Sequence, residues 1–536
     1  DGHITEITGE FTNNTAQRMY DGGSDMYGGI LWQGGSSALI DEIDAVFKNN
    51  TARAGNGSAY GGVMYINHGK INTLAGTYEN NQALSDKSNA AGGVIFNKNE
   101  ISVIRADFNN NKALGKETGS QYSRSTSLGG AIYNNGTIDR IENSTFTGNI
   151  AKAVGAQGGA IYNYASYSTS GVINEIVNTS FFNNQAENTD SIAYDPAQGG
   201  AIYQGSGTLT IKAENGGVSE FTGNTVKQHD GTATSNAVYM AKDGKSSVDS
   251  VLKLEAAADG SIIFNDGIDG AEGYAITVTG DESGTVAFNN KISNAASVTS
   301  ENVTLALGVS ENGAADLAGV DLTINSGILD LQNDALQTVE VGTFASTAGT
   351  GLKIDADLAT GESDRINAQA VAEGAEISLN NINILQDGRQ DITVFAGGIA
   401  PRFANLDSFA AYTADYKYTF KSDTAGVLST DTVESTLKGL NAAVSDESSV
   451  TKSYSLADER NVFGDLGELK GGKNAALTIN GNGKVLSGVK FLPMPACRLR
   501  QASRPPSTTS PRLKVLLPTP AVSSKIPACL TFTTPA

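Results

Sequence analysis

The first 224 residues repeat one pattern seven times, and this repetition restricts the possible fold more than any other feature of the sequence. Each copy contains a pair of Ile-like residues, a short spacer, and an aromatic residue followed three positions later by Asn. The aromatic and Asn residues are Phe11 and Asn14, Phe47 and Asn50, Tyr78 and Asn81, Phe108 and Asn111, Phe146 and Asn149, Phe181 and Asn184, and Phe221 and Asn224. Such a recurring apolar pattern indicates a solenoid, because each unit buries its apolar face only against its neighbours.

A second phrase, Gly-Gly-small-apolar-aromatic, lies between the copies and is clearest at 129–133, 158–162 and 199–203. Paired glycines permit a tight bend and close stacking of backbone on backbone. The apolar runs are short and rich in branched residues, and no amphipathic helical stripe occurs in the repeats. Each unit of roughly 30 residues therefore predicts one rung of a parallel β-helix, an all-β fold.

The repeated residues have structural interpretations. We expect the aromatic side chains to lie inside the solenoid and to stack on their copies one rung away. We expect the Asn side chains to form a ladder, in which each amide bonds the equivalent amide or the turn backbone of the adjacent rung. Seven equivalent copies favour this role over a single ligand-binding Asn.

The alternation of Gly-Gly-Ala-Ile with Phe-x-x-Asn resembles the repeats of chlamydial polymorphic outer-membrane proteins and related autotransporter passengers. The segments 260–266, 352–358 and 364–366 are also similar to phrases found in such passengers. The resemblance implies a right-handed parallel β-helix, displayed on a Gram-negative cell surface or secreted. It also implies attachment to the outer membrane only through a β-barrel that is missing from this sequence.

Changes in the pattern divide the chain into five predicted segments. Residues 1–240 carry the clear repeats, 241–400 continue the solenoid in degenerate form, and the more aromatic 401–450 form a cap or junction. Residues 451–490 resemble the start of a second β-helix, and 491–536 form a disordered tail. Because the chain begins inside a repeat and not with Met, we expect it to be a fragment whose signal peptide is not included.

The amino-acid composition disfavours some classes of binding partner. The formal net charge of −20 disfavours nucleic acid and anionic membrane as partners, because phosphate attracts Lys and Arg. No run of about 18 apolar residues occurs, so no transmembrane helix is predicted. Both cysteines, Cys497 and Cys529, lie near the end of the chain, and the cysteine-free remainder is typical of an exported protein.

Residue types that carry chemistry are sparse. His3, His68 and His229 each lack a neighbouring His or Cys, so no metal and no cofactor is predicted. A polysaccharide lyase or hydrolase remains the alternative, since such enzymes need carboxylates that converge on adjacent rungs. Its nearest candidates are the acidic segment 41–44 and the pair Asp139 and Arg140, which we interpret as solvated positions. We predict that the protein is not an enzyme.

We predict instead an adhesin-like binding role, with an unidentified host or bacterial surface protein or glycan as the partner. The candidate contact segments are the loops 113–128, 164–171 and 186–198, which vary in length between rungs. They contain tyrosines, a residue type favoured at binding surfaces. These are Tyr122, Tyr164, Tyr167 and Tyr194.

The proline-rich end of the chain generates a test at the level of the gene. Nine of the 11 prolines lie in 491–536, which contains no Gly, Asp or Glu, and proline cannot supply ladder N–H groups. Codons for 519–535 can be chosen so that the neighbouring frame reads as a Gly- and Asn-rich rung. We therefore interpret 491–536 as the product of a frameshift, in preference to a genuine proline-rich disordered tail or linker. We expect resequencing to find an uninterrupted frame that runs from Gly488 into further repeats. A genuine stop codon after Ala536 in independent isolates would refute the frameshift.

Overall fold

The computed structural model describes residues 2–18, 24–116, 125–164, 171–190, 196–242, 250–310, 313–413, 416–435, 452–455, 476–480 and 529–533. The chain divides into two compact units. The first contains residues 1–353, 365–378 and 395–402, and the second contains 354–364, 379–394 and 403–536. Among the described residues every regular element is a strand, and no helix is long and apolar enough to cross a membrane.

The first unit is built on one long sheet, sheet 1, to which every rung contributes a strand or a pair of strands. In the repeat region these are His3–Thr12, Leu39–Lys48, Lys70–Glu79, Glu100–Asn109, Thr137–Glu142, Thr145–Thr147, Val172–Val177, Ser180–Phe182, Thr208–Ala213 and Val218–Thr222. Sheet 1 continues with Val251–Ala256, Ser261–Phe264, Tyr274–Gly280, Thr285–Phe288, Ala295–Glu301, Val303–Leu307, Asp321–Ile324, Gly327–Asp330, Thr338–Ser346 and Arg365–Val371.

Three further sheets close the repeat rungs. Sheet 2 contains Thr15–Arg18, Thr51–Ala54, Gln82–Ser85, Lys112–Leu114, Ile150–Ala153, Gln185–Asn188, Thr225–Lys227 and Ala233–Ser235. Sheet 3 contains Met26–Tyr27, Ala59–Tyr60, Ala90–Ala91, Thr126–Leu128 and Gly155–Gln157. Sheet 4 contains Leu31–Gln33, Met64–Ile66, Ile95–Asn97, Ile132–Asn134, Ile161–Asn163, Ile202–Gln204, Val238–Met240 and Ile268–Gly270. The chain passes through sheets 1, 2, 3 and 4 in turn before it enters the next rung.

The register shows one rung per repeat. Ile71 lies opposite Ile101 and Ile101 lies opposite Ile138, so equivalent residues of successive repeats are direct neighbours in parallel strands. The same holds in sheet 4, where Ile132 pairs with Ile161. The prediction of an all-β parallel solenoid is therefore confirmed.

A stack of aromatic rings fills the interior behind sheet 1. The rings at the seven repeat positions lie 4.6–5.1 Å apart between centroids and within 12° of parallel. All but Phe11, in the first rung, are buried. Phe264 and Phe288 extend the stack beyond the repeats. Because every ring covers the next, the stack removes a continuous apolar surface from water.

The paired glycines form the corner between sheets 3 and 4. Gly129 has a φ of 67°, which L residues with side chains rarely adopt. Gly130 lies so close to the next rung that an added Cβ would be 2.0 Å from the carbonyl oxygen of Gly159. The first glycine thus permits the bend and the second permits the close approach of adjacent rungs.

The rung changes shape after the seventh repeat. Sheet 2 ends where Ala233–Ser235 turns back and pairs antiparallel with Thr225–Lys227. From Val251–Ala256 onward each rung contributes two strands to sheet 1, and Leu252, Ile276 and Val298 occupy equivalent positions. Residues 251–330 thus continue the solenoid with shorter rungs.

The second unit contains an antiparallel sheet. Its strands are Ile392–Thr393, Ala411–Tyr412, Tyr416–Lys421 and Val427–Ser435. The Tyr418 hydroxyl donates a hydrogen bond of 2.8 Å to Asp387. Further short strands of this unit are Glu362–Ser363, Lys452–Ser455, Ala476–Asn480 and Cys529–Thr533. Three strands contain a boundary between the units: Thr350–Asp357, Glu376–Gln386 and Arg402–Phe403.

The five predicted segment boundaries remain predictions. Of the predicted tail 491–536 the structure describes only Cys529–Thr533, which pairs in parallel with Ala476–Asn480. The remainder of the tail and most of 451–490 lie outside the described residues.

The aromatic stack generates a stability prediction. Phe146 is fully buried, so Phe146→Ala should lower the free energy of unfolding by about 3–5 kcal/mol. Phe182, on the outer side of the neighbouring rung, is the matched control, and Phe182→Ala should cost about 1 kcal/mol or less. Denaturant titration followed by circular dichroism measures both. Equal losses in the two variants would place Phe146 outside the core.

Candidate interaction surface

The repeat Asn residues lie at the corner between sheets 1 and 2, and all except Asn14, in the first rung, are buried inside the solenoid. From Asn14 to Asn224, each side-chain N–H donates to the Oδ1 of the next Asn at 2.9–3.1 Å. The six from Asn50 to Asn224 also donate to the carbonyl of the aromatic residue one rung earlier, as Asn149 does to Phe108 at 2.9 Å. Each buried amide thereby has partners on both sides, which removes the penalty for burying it.

One residue of the same turn was missed by the sequence analysis. The residue immediately before each ladder Asn has positive φ in all seven repeats. It is always Asn or Gly, the residue types that tolerate the left-handed conformation. These residues are Asn13, Asn49, Asn80, Asn110, Gly148, Asn183 and Gly223. The restriction of this position to Asn and Gly was the sequence signal that could have predicted its positive φ.

The ladder ends at a buried carboxylate. Asn224 donates its side-chain N–H to Asp266 at 2.7 Å, and the backbone N–H groups of Gly223 and Asn224 also donate to this carboxylate. Burial raises the pKa of Asp266 above its ordinary value, although these hydrogen bonds act in the opposite direction. An ionised carboxylate only accepts hydrogen bonds, so it can terminate a ladder whose donors all point one way.

A second column of aromatic rings lies on the outer side of sheet 4. Strand alternation places Tyr133 on the opposite side of sheet 4 from Ile132 and Asn134. Its ring is nevertheless buried, because side chains such as Leu128 and Tyr164 pack against it. Successive rings lie 4.3–5.5 Å apart and within 16° of parallel. We call this column the aromatic strip, which consists of Tyr65, Phe96, Tyr133, Tyr162, Tyr203 and Tyr239.

The residue before each glycine pair forms a second row beside the strip. In the early rungs this row is aromatic, and Tyr60 contacts both Tyr65 and Phe96. In later rungs it becomes polar, and Gln157 donates a side-chain hydrogen bond to Gln198 at 2.9 Å. Burial raises the pKa of Tyr203 to about 12, while a hydrogen bond with Gln157 acts in the opposite direction. The later half of the strip thus combines phenol edges with amides.

The three candidate loops leave the solenoid at two corners. Loop 113–128 runs from sheet 2 to sheet 3, and loop 186–198 runs from sheet 2 to Gln198, which forms a single bridge with Gln157 of sheet 3. Loop 164–171 runs from sheet 4 to sheet 1. Tyr164 is half-buried, and its ring centroid lies 6.0 Å from that of Tyr133 and 6.3 Å from that of Tyr162. The other three candidate tyrosines, Tyr122, Tyr167 and Tyr194, lie outside the described residues. The two corners from which the loops leave therefore lie on either side of sheets 3 and 4. The aromatic strip belongs to sheet 4.

The charged residues considered as catalytic candidates have partners. Arg140 donates to Glu214 at 2.8 Å and also pairs with Glu142 and Glu175. Burial disfavours the ionised form of Glu142, but hydrogen bonds from Arg105 and Arg140 outweigh this effect and lower its pKa. These contacts join charges of successive rungs on the outer face of sheet 1.

Two of the remaining catalytic candidates, Asp41 and Asp139, are also hydrogen-bonded. Asp41 lies 2.6 Å from a ring nitrogen of His3 and accepts a hydrogen bond from Asn72, and Asp139 accepts one from Asn174. Asp44 is exposed, and its neighbours in register are Thr8 and Ala75. Within the described ranges, no group of three or more His, Cys, Asp or Glu residues is arranged to hold a metal ion.

Comparison with protein families matches residues 106–135, 143–164 and 178–205 to the Chlamydia polymorphic membrane protein repeat. These segments contain three aromatic and Asn pairs together with three glycine-pair phrases. The resemblance proposed from the sequence is thus confirmed for this part of the chain. A search of curated proteins gave no match.

The buried end of the ladder generates a pH prediction. Because the pKa of Asp266 is raised in the folded protein, the folded state holds its proton to higher pH than the unfolded state does. Its contribution to stability therefore falls as pH rises through the window between the ordinary and the raised pKa. Asp266→Asn removes this loss, so the variant should gain stability relative to the parent protein as pH rises above about 4, the ordinary pKa of an aspartate.

Asp281 provides a control of opposite sign. It is exposed, and hydrogen bonds from Ser283 lower its pKa. Asp281→Asn should therefore lose stability relative to the parent protein as pH rises. Thermal melts across the pH series measure both differences. A difference between Asp266→Asn and the parent that does not change with pH would contradict the assignment.

Proposed function

We propose that this chain, whose residues 106–205 carry repeats of the Chlamydia polymorphic membrane protein type, is part of an autotransporter-type passenger with an adhesin-like binding role. The passenger is displayed on the surface of a Gram-negative cell or secreted. Its partner is a surface protein or glycan of a host or of another bacterium. A solenoid fold alone would not support this function, because one fold serves many functions.

The observation that carries the proposal is the placement of the variable loops. Neighbouring rungs have nearly constant strands, yet the connection from sheet 2 to sheet 3 ranges from Val154 alone to the residues 115–125. Length variation that is confined to corners leaves the hydrogen-bonded rungs unchanged. The solenoid can thus serve as a rigid scaffold, and binding residues are commonly carried by loops on such scaffolds.

The loops and the aromatic strip are physically connected through Tyr164. This residue follows directly on a strand of sheet 4, and its ring contacts two rings of the strip. A tyrosine offers a large, rigid surface with a polar end, which suits it to protein interfaces. We therefore propose that loops 113–128, 164–171 and 186–198 contribute contact residues, with Tyr122, Tyr167 and Tyr194 as further candidates.

We propose binding without catalysis. Arg140 lies within a cross-rung network of glutamates, and Asp41 and Asp139 each bond an Asn of the next rung. These contacts are typical of a structural surface on a solenoid. A polysaccharide lyase or hydrolase would instead need carboxylates directed together at a substrate. Release of reducing or unsaturated sugar ends from a polysaccharide would establish that alternative.

The test is to shorten one loop at a time and measure binding. The full chain is applied to an array of matrix proteins, host-cell surface proteins and glycans. Replacing residues 189–195 by a single Val, as between Ala153 and Gly155, should weaken binding to the best ligand by about tenfold or more, since losing one aromatic anchor can cost over 1.4 kcal/mol.

The connection 243–249 provides a matched control. It joins sheet 4 to sheet 1, as loop 164–171 does, but contains no tyrosine. Shortening it should leave binding within about twofold, which is a small fraction of a typical interface energy. Equal losses in both variants would indicate damage to the solenoid, and retained binding in every loop variant would refute the role of the loops.

A further inference from the structure

Asparagine followed by glycine is the pair of residues at which proteins most readily lose a side-chain amide. Glycine has no side chain to hinder the attack of its own backbone nitrogen on the preceding asparagine. Three such pairs lie entirely within the described residues, at 56–57, 135–136 and 215–216. Because the pair itself is the same in each case, only its surroundings in the solenoid can make the three sites react differently.

Asn215 and Gly216 lie in a turn that is longer than its counterpart in the preceding rung. The two strands of sheet 1 are joined by residues 178–179 in the sixth repeat and by residues 214–217 in the seventh. Both residues are exposed, and their φ angles are 42° and 75°, as is typical of Asn-Gly in a tight turn. A Cβ added to Gly216 would meet no atom within 4 Å, so this side of the peptide is open.

Few bonds hold this turn. The Gly217 N–H donates to the carbonyl oxygen of Glu214 at 2.8 Å, and the Gly216 N–H donates to that of Ala258 in the next rung at 3.1 Å. The Asn215 side chain makes no hydrogen bond with any residue that the structure describes. Release of the bond to Ala258 therefore frees the Gly216 nitrogen to approach the Asn215 side chain.

The other two pairs are packed against the backbone of the preceding rung. In the pair 56–57, a Cβ added to the glycine would lie 2.3 Å from the carbonyl oxygen of Ser24. In the pair 135–136, it would lie 2.2 Å from the carbonyl oxygen of Asn99. The asparagine of each pair is half-buried. The rotation that brings the glycine nitrogen onto the asparagine side chain is thus obstructed at both sites.

We propose that Asn215 is a site of spontaneous deamidation in the folded protein, whereas the pairs 56–57 and 135–136 are protected by the fold. The Gly216 nitrogen attacks Cγ of Asn215. The new N–Cγ bond forms as the Cγ–Nδ2 bond breaks, and Nδ2 leaves as ammonia with the proton of the Gly216 N–H. Water then opens the cyclic imide at either carbonyl and leaves an aspartate or an isoaspartate at position 215. This inference does not depend on the proposed binding function.

The two products affect the solenoid differently. Aspartate keeps the length of the main chain and tolerates the left-handed conformation, as Asp259 does in the next rung with a φ of 56°. Isoaspartate adds a methylene to the main chain of the turn and so displaces Gly216 from Ala258. Either product places a new negative charge beside Glu214, whose carboxylate pairs with Arg140 at 2.8 Å. Isoaspartate therefore weakens the contact between the seventh rung and the next.

Peptide mapping by mass spectrometry of the full chain, incubated in mildly alkaline buffer, tests the inference. In the folded protein we expect Asn215 to convert about tenfold or more faster than Asn56 or Asn135, which corresponds to a barrier lower by about 1.4 kcal/mol. In denaturant, with unfolding verified by circular dichroism, the three sites should convert at similar rates. The unfolded sample thus separates the effect of the fold from that of the flanking sequence.

Two variants supply the controls. Asn215→Ser should abolish conversion at this position and leave the slow conversion of Asn56 and Asn135 unchanged. Asn215→Asp reproduces the aspartate product and should melt as the fresh parent protein does, so a lower melting temperature of the aged parent protein reports isoaspartate. A smaller difference in rate between the sites of the folded protein would overturn the inference, as would a difference that persists in denaturant.

Discussion

The structure depends on the requirement that polar groups buried in its interior be hydrogen-bonded. Each repeat places an Asn beside a stack of aromatic rings, where an unbonded amide would cost about 1–3 kcal/mol. The amide is satisfied only if the next rung places its own Asn at the same height. A slip by one residue would leave amides without partners and would turn the aromatic side chains outward. Apolar stacking supplies the driving force, while the Asn ladder specifies the register.

The side-chain hydrogen bonds of the Asn ladder all point the same way along the stack of rungs. The residue that ends the ladder must therefore accept hydrogen bonds without donating one. Every Asn from Asn14 to Asn224 donates its side-chain N–H toward the next rung, and at Asp266 a carboxylate replaces the amide and accepts. Near this residue sheet 2 ends in an antiparallel hairpin, and the later rungs consist mainly of sheet 1. The hairpin covers the edge strand of sheet 2, which would otherwise present unpaired backbone groups. The Asn ladder and the full rung therefore end together.

The periodicity that stabilises the interior also patterns the exterior. An outward-facing residue in one rung lies about 4.8 Å from its counterpart in the next, so rows of like residues form on the surface. One such row contains the ion pairs between rungs around Arg140, and another is the aromatic strip with its neighbouring glutamines. Each row is a linear array that a folded globular domain would rarely present. The loops at the two flanking corners add variation to an otherwise regular surface.

The sequence by itself determined the parallel solenoid and the inward position of the repeat aromatics, because a fixed apolar pattern can be buried only by stacking copies of the unit. It also predicted the Asn ladder, since a polar residue recurring at a buried position needs its own copy as a partner. Only the tertiary structure showed that Tyr133 and its counterparts form a second aromatic column, apart from the interior stack, and that Gln157 approaches Gln198, 41 residues away. It also placed the loops at two corners of the rung. These features depend on where each rung bends, and the bends follow from contacts between rungs that one repeat does not contain.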